Sequence, residues 1–123
     1  MADIIPMSIE MKVKRGNMID QTYGGTHNGI DFSGKSIYAE MRIAMDSPVV
    51  LKYSTSDGTL TFSYDSSTFT LRFYQKASAI LAIPCNIYQL EVMMGTSPDY
   101  DDHQTFIIGI CEISTQIVQN PIP

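Results

Sequence analysis

Apolar residues occupy every second position in one stretch of this chain after another. Ile9, Met11 and Val13 alternate with Glu10, Lys12 and Lys14. Ile37, Ala39, Met41 and Ile43 alternate with Ser36, Tyr38, Glu40 and Arg42. Leu60, Phe62 and Tyr64 repeat the pattern, as do Phe69, Leu71 and Phe73, and then Tyr88, Leu90 and Val92. Successive side chains on a strand point to opposite faces, so each stretch predicts a strand with one buried face and one wet face.

Turn chemistry separates these stretches. A first strand over Ser8–Lys14 closes at Arg15-Gly16-Asn17, and a weaker one runs from Met18 to Tyr23. Gly24, Gly25, Asn28 and Gly29 read as a flexible loop. Ser33-Gly34 turns into the clearest strand, Ser36–Ala44, and Asp46-Ser47-Pro48 turns into Val49–Ser54. Ser56-Asp57-Gly58 predicts a hairpin into Thr59–Tyr64, and Asp65-Ser66-Ser67 leads into Thr68–Tyr74. The period then changes: Ala79, Leu81 and Ile83 could alternate as a strand, but the helix-tolerant run favours one helical turn around Ala77 to Leu81, and Pro84 ends either. Strands over Asn86–Met94 and Thr105–Ser114 follow, separated by a polar, acidic loop.

About seven short strands spaced roughly eight to twelve residues apart, joined by a helical crossover, predict an all-β, immunoglobulin-like antiparallel β-sandwich. A closed barrel is the alternative. With 123 residues the chain makes a single domain, 1–123, with a lead-in over 1–7 and an extended C-terminal arm over 115–123. The arm ends in Asn120-Pro121-Ile122-Pro123, which cannot supply a regular ladder.

The last strand departs from the rule. Phe106-Ile107-Ile108-Gly109-Ile110-Cys111-Glu112-Ile113 is apolar on both faces. One face would carry Ile107, Gly109, Cys111 and Ile113, the other Phe106, Ile108, Ile110 and Glu112. A two-sheet sandwich buries one face of each strand. Either the N-terminal segment or the Pro-rich tail covers the second face, or another subunit does. Met93 and Met94 extend the same patch, since Met suits adaptable contacts. Of the tyrosines, Tyr23, Tyr38 and Tyr100 fall where they could meet a partner. The candidate interface is therefore Ile108, Ile110, Phe106, Met93, Met94, Tyr38 and Tyr100.

Charge narrows the partner. The net charge of −5 and 8 scattered basic residues do not make the Lys/Arg cluster that phosphate binding needs, so no nucleic acid is expected. The one basic knot, Lys12, Lys14 and Arg15, reads as a solvated strand edge. Charged residues make up 17% of the chain, below the typical fraction of about 25%, which leaves neutral surface for contact. No apolar run approaches the roughly 18 residues of a spanning helix, and no signal-peptide pattern opens the chain; a protein made in a cytosol, without membrane partners, is expected.

The chemistry of catalytic and metal sites is sparse. Cys85 and Cys111, with His27 and His103, lack the local pairs of a zinc site. Without an export signal a disulfide is not expected, and Cys is then a small buried hydrophobe. Asp99, Asp101 and Asp102 beside His103 offer oxygen ligands, but without the Gly and Glu positions of a calcium loop they read as solvated. No Ser sits in a nucleophile-elbow pattern. The expectation is a protein with no enzymatic activity, no metal and no cofactor.

The order of motifs adds a resemblance. Lys14-Arg15-Gly16-Asn17 closes a strand; Ile30-Asp31-Phe32-Ser33-Gly34 leads into Ile37-Tyr38-Ala39-Glu40-Met41-Arg42. Thr70-Leu71-Arg72-Phe73 precedes the helical turn, then come Pro84-Cys85-Asn86-Ile87-Tyr88-Gln89-Leu90-Glu91-Val92 and a final strand centred on Gly109. From Ile9 to Ile113 the chain resembles small immunoglobulin-like structural proteins of tailed bacteriophages, including the N-terminal domain of baseplate upper proteins that anchor receptor-binding fibres. Arg15-Gly16-Asn17 stands where that family typically has Arg-Gly-Asp, and Cys85-Asn86 where it often has Gly. The resemblance implies a virion structural protein assembled in the host bacterial cytoplasm: a tail or baseplate component or fibre connector, meeting other virion proteins and copies of itself in a symmetric assembly. The alternatives are a capsid decoration protein and an adhesin-like module that binds a receptor or carbohydrate.

Overall fold

The computed structural model describes residues 7–27, 29–44, 46–96 and 103–115. Among these residues eight strands and one helical turn follow one another: β1 (Met7–Lys14), β2 (Ile19–Thr26), β3 (Ser36–Arg42), β4 (Val49–Ser54), β5 (Leu60–Tyr64), β6 (Thr68–Gln75), α1 (Ala77–Leu81), β7 (Asn86–Gly95) and β8 (Gln104–Ser114). Five strands form one sheet in the order β1-β8-β7-β3-β4, and three form the other in the order β2-β6-β5. Every pairing is antiparallel except that of β1 with β8, which run parallel from Met7 beside Ile107 to Lys14 beside Ser114.

The inward phases of both sheets make one core, in which Met11, Ile19, Met41, Leu71, Phe73, Val92 and Ile107 are fully buried. An aromatic cluster closes one end. Phe32, in the β2–β3 loop, sits 5.0 Å from Phe62 and 5.7 Å from Phe106 between ring centroids, and Phe106 sits 5.8 Å from Phe69. Tilted and edge-on rings at such distances gain attraction beyond their buried area. The loop is held by Asp31, whose carboxylate accepts from the Ser33 hydroxyl and amide; those bonds lower its pKa. Gly34, with φ of +70°, completes the turn in a conformation other residues adopt at a cost.

The β6–β7 connection carries the chain between the sheets through α1. Tyr88, near the start of β7, turns back so that its hydroxyl donates to the Pro84 carbonyl at 2.6 Å. A tyrosine at this corner bonding a few residues upstream is a hallmark of one sandwich architecture. The fold is an immunoglobulin-like β-sandwich. The expected sandwich, helical turn and most strand bounds agree with it.

Two local expectations are corrected. Gly24 and Gly25 lie inside β2, not in a loop: a Cβ on Gly25 would fall 2.7 Å from the Phe69 ring, so glycine there admits the aromatic core close to the strand. Ser56-Asp57-Gly58 does not close a hairpin, because β4 and β5 belong to different sheets. Asp57 caps the crossing by accepting from the Thr59 hydroxyl and amide, which lowers its pKa.

One core polar group stands out. Tyr53 is buried, its ring lies edge-on to Phe73 at 5.2 Å, and its hydroxyl has no hydrogen-bond partner among the described residues. Burial pushes its pKa well above the usual tyrosine value. A buried hydroxyl without a partner costs about 1–3 kcal/mol of desolvation. Tyr53→Phe should therefore stabilise the fold by about 1 kcal/mol, read as a higher urea midpoint at unchanged slope; a lower midpoint would mean that the hydroxyl is in fact satisfied.

Candidate protein interface

The outer face of the five-stranded sheet is built row by row from cross-strand pairs. Ser8 of β1, Ile108 of β8, Glu91 of β7, Glu40 of β3 and Lys52 of β4 stand side by side. The next row is Glu10, Ile110, Gln89 and Arg42. Ile108 and Ile110 keep 46% and 39% of their surface exposed, in the middle of a sheet rather than at its rim. Beside them the sheet dips into a hollow of about 550 Å³, whose lining includes Glu40, Arg42, Gln89, Glu91, Ile108 and Ile110.

Glu40 and Glu91 are opposite each other in the β3–β7 ladder, a like-charge pairing that needs neutralising partners. Glu40 has one in Arg42, which also donates to the Ser47 carbonyl at 3.2 Å. Glu91 accepts from the Thr105 hydroxyl at 2.7 Å and has no ion pair among the described residues. The hollow therefore sets two exposed isoleucines beside a neutralised Glu40–Arg42 pair and Glu91, an acid without an ion pair among the described residues.

The candidate residues divide sharply. Ile108 and Ile110 are on the outer face, as expected. Phe106 is corrected to the core, where it is 3% exposed. The reason is a register shift: Val92 pairs with Ile107 but Met93 with Thr105, so Phe106 is an extra residue without a partner. A bulge of this kind re-aims one side chain, and here Phe106 and Ile107 both turn inward. Met94 joins the core cluster, and Met93 is buried outside it, beside Tyr38 in the ladder; neither is exposed patch. Tyr38 is half-buried and meets the His103 ring edge-on at 6.4 Å. Tyr100, most of the acidic loop and the arm from 116 onward lie outside the described residues.

Tyr23 faces inward, and its role is at a sheet edge. Its hydroxyl lies 3.1 Å from the Glu10 carbonyl and 2.7 Å from Gln21 Oε1, while Gln21 Nε2 donates to the Lys12 carbonyl at 3.2 Å. These β2 side chains occupy backbone acceptors along the edge strand β1. At the opposite edge, Gln75 Nε2 donates to the Lys52 carbonyl at 2.8 Å and the Ser54 amide donates to Thr59 Oγ1 at 2.9 Å. Two carbonyls of β1, and one carbonyl and one amide of β4, are thus already engaged, which hinders pairing of another chain along these stretches of edge. The sequence carries no local sign of this engagement, since it joins residues of different sheets.

The outer face of the three-stranded sheet is different in kind. Thr22, Thr61, Ser63 and Thr70 surround a bidentate pair in which Arg72 donates to Asp20 at 2.7 and 2.8 Å. That hydrogen bond and the guanidinium charge lower the Asp20 pKa. Cys85 and Cys111 are free thiols; burial pushes Cys111 up to about 11, which keeps it protonated and unreactive. Among the described residues no group of three or more His, Cys, Asp or Glu is placed to hold a metal, and no helix is long and apolar enough to cross a membrane.

No family model matches the chain, and no curated protein matches it in sequence. Solved structures do resemble it. A family 123 glycoside hydrolase from Clostridium perfringens aligns with a TM-score of 0.44 and 9% identity, over 93% of this chain and 24% of that one. The periplasmic chaperone SfaE aligns with a TM-score of 0.44 and 12% identity, over 91% of this chain and 57% of that one. The ZIG-8–RIG-5 IG1–IG1 heterodimer aligns with a TM-score of 0.32 and 11% identity, over 90% and 84%. The chain thus spans about a quarter of the hydrolase and little more than half of the chaperone.

Proposed function

We propose that this chain is a structural component of a bacteriophage virion, a tail or baseplate element or fibre connector, that acts by protein–protein assembly. The observation that carries the assembly reading is the pair Ile108 and Ile110, exposed on an interior strand of a sheet whose two edge strands each have two backbone groups engaged by side chains. Partly occupied edges favour burial of a face over main-chain pairing as the mechanism: apolar contacts from the two isoleucines and polar neighbours to set orientation. The order of motifs along the chain supports the virion setting.

Ile108→Asp places a charge at the centre of that face. Because Ile108 is half-exposed, the monomer should keep its strand signature by circular dichroism while assembly is lost in light scattering over a wide concentration range. An unfolded variant would make Ile108 a core residue and end the interface reading. Antibody labelling of phage particles that carry the chain tests the setting: label at the tail tip is expected, label over the shell moves the chain to capsid decoration, and unlabelled particles remove the virion reading.

A further inference from the structure

The basic residues are few, yet three of them gather at one end of the sandwich. Lys14 ends β1, Arg15 follows it, and Lys76 is the residue before α1. Arg15 donates to the Leu81 carbonyl at 3.1 Å, which fixes a guanidinium beside the end of α1. Leu81 is 58% exposed, more than Ile108 or Ile110, and Met18, next to the Ile19–Gln75 pair, is 48% exposed. This end is an apolar tip with a basic collar. Asp20, the nearest acid on β2, is already held by Arg72.

The outer-face hollow offers the complement: exposed isoleucines beside Glu91, whose charge is left over once Arg42 has paired with Glu40. We propose that the α1 end of one copy docks in the hollow of a second copy, with Leu81 on Ile108 and Ile110 and the basic collar against Glu91. This rests on the reading of the outer face as an assembly surface and names its occupant. Tip and hollow are different surfaces of one molecule, so the contact is head-to-side. Repetition of such a contact builds a ring if the rotation closes and a filament if it does not, whereas a face-to-face contact stops at two copies. The chain's net charge of −5 sharpens the choice, because this end is a basic spot on an acidic protein.

The decisive experiment is complementation between two full-length variants. Leu81→Asp spoils the tip and leaves the hollow; Ile108→Asp spoils the hollow and leaves the tip. Glu91→Lys, at a half-buried rim position, is a second hollow variant should Ile108→Asp unfold. Each alone should stay monomeric to a concentration roughly thirty-fold above that at which the parent assembles. An equimolar mixture should restore one contact per pair and stop at a one-to-one dimer by light scattering. Three results overturn the proposal: Leu81→Asp assembling as the parent does, which would indicate face-to-face packing; a mixture that stays monomeric; or a parent that stays monomeric to about 1 mM. The last would leave the outer face available to a different virion protein, so the two readings fail separately.

Discussion

Gly109→Ala should prise β1 away from the five-stranded sheet. A Cβ on Gly109 would lie 2.3 Å from the Ile9 carbonyl oxygen and 2.8 Å from Ile9 Cγ1. The first contact is with backbone, which cannot swing aside as a side chain does. Ile9 also sits in the middle of the parallel β1–β8 ladder, opposite Gly109 itself. Relief therefore requires β1 to shift as a unit, which would take Met11 and Val13 out of the core they fill. Overpacking commonly costs 1–3 kcal/mol, and a backbone obstacle belongs at the upper end, so we expect a loss of about 3 kcal/mol, and more for Gly109→Val. Urea unfolding gives the magnitude, and hydrogen exchange should show the β1 amides losing protection first. An alanine variant with an unchanged midpoint would mean that β1 does not hold this register.

Phe106→Ala should be as damaging for a different reason. Phe106 touches the rings of Phe32, Phe62 and Phe69, and its loss opens a cavity at the closed end of the sandwich. Removal of a buried Phe typically costs 3–5 kcal/mol. We expect about 4 kcal/mol, with Phe106→Leu costing much less because it refills part of the volume. The measurement also judges the bulge. If Phe106 lay on the outer face, the alanine variant would lose assembly and keep its stability; a core residue gives the reverse order of effects.

These two positions show how far the sequence could be read. The alternation that marks β1, β3, β6 and β7 is a local property, and it located the strands and their buried phases closely. Alternation alone misplaces Phe106, because a bulge inserts one residue and reverses the phase on one side of it, and that insertion is decided by the partner strand. Gly25 reads as loop because its fitness for β2 comes from the Phe69 ring, distant in sequence. Ile108 and Ile110 were legible from the doubly apolar pattern of β8. The hollow beside them was not: Glu40, Arg42, Gln89 and Glu91 are each unremarkable outward residues, and only the strand order β8-β7-β3 makes them neighbours.

The parallel pairing of β1 with β8 sets a clock on biosynthesis. Met7 and Ile107 are partners, and every residue of β1 waits for one about a hundred positions downstream. At translation rates of about 5–20 residues per second, β1 emerges roughly 5–20 s before the strand that will hold it. Long-range pairing of this kind also slows folding itself. The strand that completes the sheet is the one that carries Ile108 and Ile110, so the proposed docking face is unfinished until β8 itself has emerged. On the proposed assembly, copies growing side by side on one messenger have no complete face to offer one another before that moment.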